Sequence, residues 1–379
     1  MERRTLLALP AALAALRARQ AEAGFVSLFD GKTLQGWSAQ DGPESAFYVS
    51  DGAIAGHVES QFPAWLRSTR QYENFDFRGE FFVKGWTDGG IYLHAPEHGR
   101  NTWCGMQVKI FHAQDQQPQP NSMGAIFPLI APRKVNVRNR GEWNNLRILM
   151  DWPQFQVSVN DEVVQDLNLE SVPELRYRLR RGYLGLSALG YPIRFRNLRI
   201  RELPPKEKWE YLYETEADFE KWFVSESNPK TPARFAAIGG VLRGDGLGHL
   251  ATKEKFRDFQ LHLYIRGPQH HNGGILFRSS GQGLTERRHY EIQLHNVEEA
   301  HYPTGSLYGY QRSIYPRIED DRWYLMQLVV QGRGCLVRIN GENVLEYDRL
   351  DNLDAGHLEV QAHQAGKRIE YKQIWVKRL

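Results

Sequence analysis

The chain has 379 residues, 41% hydrophobic and 12% aromatic, with 34 glycines, two cysteines and a formal net charge of +3. That length suits about two domains, and the composition excludes a disordered chain. Two cysteines are too few for a disulfide framework or a cysteine-rich zinc site. Lys and Arg are spread evenly, which argues against a nucleic-acid partner, and no run of ~18 apolar residues follows the N-terminus, so no membrane span is expected.

Residues 1–23 read as an export signal. Arg3 and Arg4 form a basic start, Thr5 to Leu16 an apolar stretch, and Ala21-Glu22-Ala23 a small-x-small cleavage site. The paired arginines followed by Thr-Leu-Leu resemble a twin-arginine signal; an ordinary export signal or an amphipathic first helix are the alternatives. The expected destination is the bacterial periplasm or the exterior. Four Arg and two Glu lie in this segment, so the charge of the remainder is about +1.

Beyond it one domain is written twice. Glu73-Asn74-Phe75-Asp76-Phe77 lines up with Arg257-Asp258-Phe259-Gln260-Leu261 at an offset of 184, which also maps Gly89-Gly90-Ile91 onto Gly273-Gly274-Ile275. The offset drifts to 174 by Gly182-Tyr183-Leu184 and Gly356-His357-Leu358, as loop deletions would produce. A period this long means tandem domains rather than a solenoid. The expected division is 24–203 for the first copy, a Pro-rich, charged linker at 204–210, and 211–379 for the second.

Within each copy the pattern has period two. Phe77, Gly79, Phe81 and Val83 alternate with Arg78, Glu80 and Phe82, and Leu261, Leu263 and Ile265 with Gln260, His262 and Tyr264. Asp51-Gly52 and Asn340-Gly341 are hairpin turns. Helical periodicity is confined to Glu170–Leu179 and Ala217–Trp222. The expectation is an all-β chain of two antiparallel two-sheet sandwiches. Trp143 and Trp323, just ahead of apolar strands, are expected in the cores.

Several motifs are shared with a known family. Phe25-Val26-Ser27-Leu28-Phe29-Asp30-Gly31 with Gly36-Trp37, Gly89-Gly90-Ile91-Tyr92-Leu93, Tyr290-Glu291-Ile292-Gln293-Leu294 and Val360-Gln361-Ala362-His363 resemble the bacterial 3-keto-disaccharide hydrolase domain family. The resemblance covers everything after residue 23. It implies two concanavalin A-like jelly rolls acting on carbohydrate. Copy two keeps Asn272, Arg278, Glu291, Gln293, Gln361 and His363, with Tyr264 in place of a strand glutamate. Copy one keeps Glu80, and has Gln107, His94, Ser187 and Leu189 where Glu, Arg, Gln and His are usual.

In a strand, residues i and i+2 share a face. Glu291, Gln293 and His295 therefore point one way, as do Gln361 and His363, and His262 and Tyr264. If these strands are neighbours, copy two carries a sugar groove whose catalytic candidates are Glu291, His363 and Arg278. Gln293, His295, Gln361, His262, Tyr264 and Asn272 would bind substrate, with Glu80 and Lys109 as counterparts in copy one. In a 3-keto sugar the ketone acidifies the C2 proton and the glycosidic oxygen lies β to the carbonyl. Elimination then needs a base, a group that holds the enolate, and an acid for the leaving oxygen. His363 or Glu291 could be the base, and Arg278 or a divalent cation could hold the enolate. No cofactor is otherwise expected, and no H-x-H or HExxH spacing marks a metal site. A direct glycosidase would need paired carboxylates, and each copy offers one on the expected face. The other reading is a non-catalytic carbohydrate-binding protein with degenerate sites. The two sandwiches are expected to pack on each other.

Overall fold

A computed structural model describes residues 23–57, 64–112, 117–189, 193–282 and 289–379. The proposed export signal lies outside them, apart from Ala23. No helix among the described residues is long and apolar enough to cross a membrane. Contacts divide the described residues into two compact units: those up to 95 together with 105–206, and 96–104 together with those from 207 on.

Each unit is a jelly-roll β-sandwich of one eight-stranded and one five-stranded antiparallel sheet. In the first unit the small sheet runs Trp37–Gln40, Trp65–Tyr72, Gly182–Ala188, Asp88–Ala95, Met106–Phe111. In the second it runs Trp222–Ser227, Gly248–Thr252, His357–Ala362, Gly273–Ser279, Tyr290–Leu294. The large sheets are built around Asn74–Val83 and Phe259–Arg266, each flanked by the unit's last strand, Ile193–Leu203 and Ile369–Arg378. The helical candidates shrink to one or two turns each, Leu169–Ser171, Pro173–Arg176 and Glu216–Lys221.

Alternation builds the cores. Phe75, Phe77, Phe81 and Val83 turn inward in one unit, and Phe259, Leu261, Leu263 and Ile265 in the other. The intervening residues face out from the large sheets. In the first unit buried Asp76 lies between Arg147, at 3.0 and 3.1 Å, and Arg78, at 3.2 Å. Burial opposes its charge, but these guanidiniums outweigh it and hold the carboxyl below the ordinary aspartate value.

The equivalence of the units extends to small details. Ser68 Oγ accepts from Leu184 N at 3.0 Å, and Thr252 Oγ1 accepts from Leu358 N at 3.1 Å. Trp143 and Trp323 are not core residues. They are half-buried on the large sheets' outer faces, beneath Arg196 at 3.9 Å and Lys372 Nζ at 4.6 Å from the ring centroids. A cation from the last strand thus finds the same indole in both units.

Candidate active site

The outer face of the second unit's small sheet gathers most of the candidate residues. Its register places four residues in one row across four strands: His249 opposite Gln361, Gln361 level with Gly274, and Gly274 opposite Gln293. Leu250, Val360, Ile275 and Ile292 alternate with them and fill the core, which fixes the polar set on the other side. The next row holds Ala251, Glu359, Leu276 and Glu291.

Gly274 leaves a gap in the first row, and the Glu291 side chain leans into it. A Cβ at position 274 would lie 2.7 Å from Glu291 Cγ and 2.8 Å from its Cδ. The carboxyl therefore rests between Gln361 and Gln293. No hydrogen bond or ion pair holds it among the described residues, and burial raises its pKa to about 7, with His249 acting in the opposite sense. Gly274→Ala is expected to leave a folded protein in which Glu291 is displaced from the gap and its pKa falls back toward the ordinary carboxylate value. NMR titration of the Glu291 carboxyl beside a thermal melt checks it.

Beside this carboxyl lies a fixed chain. Glu359, 1% exposed, lies 3.1 Å from His249 Nδ1, and Gln361 Nε2 lies 3.0 Å from His249 Nε2. The arrangement suits an imidazole that donates from Nδ1 to Glu359 and accepts at Nε2 from Gln361. Ser225 Oγ also donates to Glu359, at 2.9 Å. Burial opposes the charge on Glu359, but these hydrogen bonds and one from Ser279 outweigh it and keep the carboxyl below its ordinary value. Gln361 is thereby held with its second amide proton free of His249. On the far side Gln293 Nε2 donates to Asn272 Oδ1 at 2.6 Å. His363 stands at the exposed end of its strand, its pKa lowered by partial desolvation and then by His249. His295, half-buried where the strand of Glu291 ends, is lowered by desolvation and by His270.

The structure therefore brings together Glu291, Gln293, His295, Gln361, His363 and Asn272. It places four other candidates elsewhere. Arg278 has a left-handed backbone, φ +52°, at a bulge between Leu276 and Ser279. The bulge gives the groove face to Ser279 and turns Arg278 inward. There its guanidinium donates to the carbonyls of Arg257, Asn352 and Gly332 at 3.2, 2.8 and 2.8 Å, and to Asp258 at 3.1 Å. His94 does the same at the matching bulge, φ +50°, with ring nitrogens on the carbonyls of Leu179 and Glu73.

His262 and Tyr264 belong to the large sheet. His262 Nε2 lies 2.9 Å from Gln260 and 3.0 Å from Gln327, under the Trp209 ring. Tyr264 Oη accepts from Glu97 N, within the same unit. Glu80 is likewise on the first unit's large sheet, bound by Arg196 Nε at 2.7 Å and Asn197 Nδ2 at 2.5 Å. Sequence reasoning missed His249 and Glu359. Glu359 was readable, two residues before Gln361 on the same face. His249 was readable as the residue before Leu250, itself 184 after core Leu66.

The first unit has the same two rows with other residues. Trp65, Ser187, Gly90 and Lys109 replace His249, Gln361, Gly274 and Gln293, while Arg67, Gly185, Tyr92 and Gln107 replace Ala251, Glu359, Leu276 and Glu291. Gln107 leans over Gly90 as Glu291 does over Gly274, with Cγ 2.9 Å from a Cβ placed there. Lys109 is buried and pairs with Asp88, where the second unit has Gln293 and Asn272. Among the described residues no three His, Cys, Asp or Glu side chains in either unit form a group that could hold a metal ion.

The fold and this face define a tandem jelly-roll protein whose second unit gathers a carboxylate, amides and imidazoles on its small sheet. The chain belongs to the family of 3-keto-alpha-glucoside-1,2-lyase-like domains, whose model matches residues 24–201 and again 208–377. It is 22% identical over 228 residues to a 3-keto-disaccharide hydrolase of Bacteroides thetaiotaomicron, covering 48% of this chain and 79% of that one. Among solved structures, a provisionally named glycosyl hydrolase from Parabacteroides distasonis aligns at a TM-score of 0.44 and 18% identity, over 49% of this chain and 97% of its own. A Bacillus subtilis protein of unknown function with a galectin-like fold aligns at 0.36 and 15% identity, over 46% and 97%.

Proposed function

We propose that the second unit cleaves the glycosidic bond of a 3-keto-glycoside by elimination followed by hydration. The observation that carries this reading is Glu291, a half-buried carboxyl without a cation of its own among the described residues, poised near neutral pH between two amide side chains. A base of that pKa suits proton abstraction from the carbon beside a ketone. Glu291 takes the C2 proton, electron density moves to the C3 oxygen, and the C1–O bond breaks as the leaving oxygen gains a proton. Gln361, pinned by His249 and Glu359, and Gln293, pinned by Asn272, offer N–H groups to the developing enolate in place of the arginine expected from sequence. His363, accessible at the strand end, is the group for the leaving oxygen. Water then adds across C1 and C2, returning a proton to C2 and a hydroxyl to C1. The family's lyase-like character and the named relative support a 3-keto substrate.

Cleavage in deuterium oxide tests the route. The released 3-keto sugar should carry one deuterium at C2 for each bond cleaved, above exchange in the same sugar without protein. Protium retained at C2, or no cleavage of 3-keto-trehalose by the full chain, overturns it. The first unit supports a binding role instead, since Gln107, Gly185 and Leu189 stand where the second unit has Glu291, Glu359 and His363.

A further inference from the structure

The row of Glu291 does not stop at the edge of the small sheet. Residues 303–311 run beside Tyr290–Leu294, with Leu307 bridging Ile292 and Tyr308 N donating to Glu291 O at 2.9 Å. Leu307 is fully buried in the core, so the side chain that follows it turns to the opposite side, that of Glu291. The counterpart in the first unit takes the same direction. Phe127 N donates to Gln107 O at 3.0 Å, and its ring centre lies 4.3 Å from Nζ of Lys109, a residue of the groove floor.

Tyr308 is 54% exposed, and its ring centre lies 5.1 Å from that of Tyr302, which in turn meets His301 edge-on at 4.4 Å. A half-exposed tyrosine backed by a second one, its backbone hydrogen-bonded to that of the candidate base, is a flat apolar surface with polar tips. The C–H face of a sugar ring or the face of an aryl ring complements it. The keto ring must lie over the floor, where Glu291, Gln361 and Gln293 converge, and the rim is left for the other part of the molecule.

We infer that Tyr308, supported by Tyr302, is a stacking platform for the leaving-group ring, so that the site favours glycosides whose leaving group is a second sugar or an aryl ring over simple alkyl glycosides. The inference rests on the elimination reading above. Tyr308 is a specificity-determining residue in this scheme. Its ring is what counts, not its hydroxyl.

The test compares the full chain with Tyr308→Ala and Tyr308→Phe on 3-keto-trehalose and on methyl 3-keto-α-glucoside. Tyr308→Ala should raise KM for the disaccharide about three- to tenfold, the range of an aromatic stacking contact, with kcat unchanged. KM for the methyl glycoside should not move, and Tyr308→Phe should behave as the parent. Equal effects on both substrates, or none, overturn the platform. If neither substrate is cleaved, the reaction reading fails by itself, and the platform is read by NMR titration with trehalose and methyl α-glucoside. Tighter binding of trehalose by the parent, lost in Tyr308→Ala, supports it; equal affinity, or no binding of either, overturns it.

Discussion

Glu291→Gln should lower kcat/KM on a 3-keto-disaccharide by about 10²–10⁴-fold, the usual contribution of a positioned general base, while the protein stays folded and no less stable at neutral pH. The substitution keeps the shape of a half-buried side chain packed over Gly274 and removes its proton affinity. The first unit shows that this position accepts an amide, since Gln107 occupies the equivalent gap. Two pH dependences accompany the loss. A base works ionised and a proton donor works protonated, so the parent's kcat/KM should be bell-shaped, its acid limb set by Glu291 near 7 and its alkaline limb by His363. An alkaline limb that survives in His363→Ala but is lost in Glu291→Gln would make Glu291 the acid and reverse the assignment. Stability moves oppositely. The folded-state pKa lies above the ordinary 4.5, so the stabilisation is fully present below 4.5 and is lost as pH rises through about 7. Across that window the parent should lose on the order of 2–3 kcal/mol relative to Glu291→Gln. Urea unfolding of both proteins at pH 4.5 and pH 8 measures it, and parallel pH curves would show the carboxyl to be no more buried than a surface one.

The strands were legible because burial on one side of a sheet imposes a period of two, and Phe77 to Val83 and Leu261 to Ile265 obey it. The same rule found Glu291, Gln293 and His295 sharing a side of one strand and Gln361 with His363 sharing a side of another. It failed in two distinct ways. Parity says which residues share a face, not which of two sheets carries the strand, so His262, Tyr264 and Glu80 were drawn into a groove that lies on the other sheet. Parity also assumes an unbroken strand. At Arg278 a left-handed residue inserts a bulge, Ser279 inherits the groove face, and the arginine turns inward. The contact of His249 with Glu359 and Gln361, though each residue's face was readable, was hidden for a third reason. It is made by register across two strands more than a hundred residues apart, which no local pattern encodes. Gly274 is similar: a glycine pair reads as a turn or a weak strand, and only the leaning carboxyl shows why a side chain is absent there.

Arg278 provides the second large effect, and it falls on stability rather than chemistry. Arg278→Ala should cost about 3–5 kcal/mol, the penalty for breaking a buried charged network by removing one partner. The guanidinium is 0% exposed and serves four acceptors at once: Asp258 and the carbonyls of Arg257, Gly332 and Asn352. These groups come from three separate loops at one end of the sandwich. Without the arginine they lose a shared donor where water has little access. Arg278→Lys should recover little of this, because one ammonium cannot reproduce the planar fork. Arg278→Gly separates the two contributions, since it relieves the φ of +52° and still loses every hydrogen bond. It should be no less stable than Arg278→Ala and far less stable than the parent. Had Arg278 held the enolate, Arg278→Lys would instead melt with the parent and lose turnover. Chemical denaturation and initial rates on the same three variants distinguish the outcomes, because a positioning arginine lowers the unfolding midpoint first and the rate only as folded protein is lost.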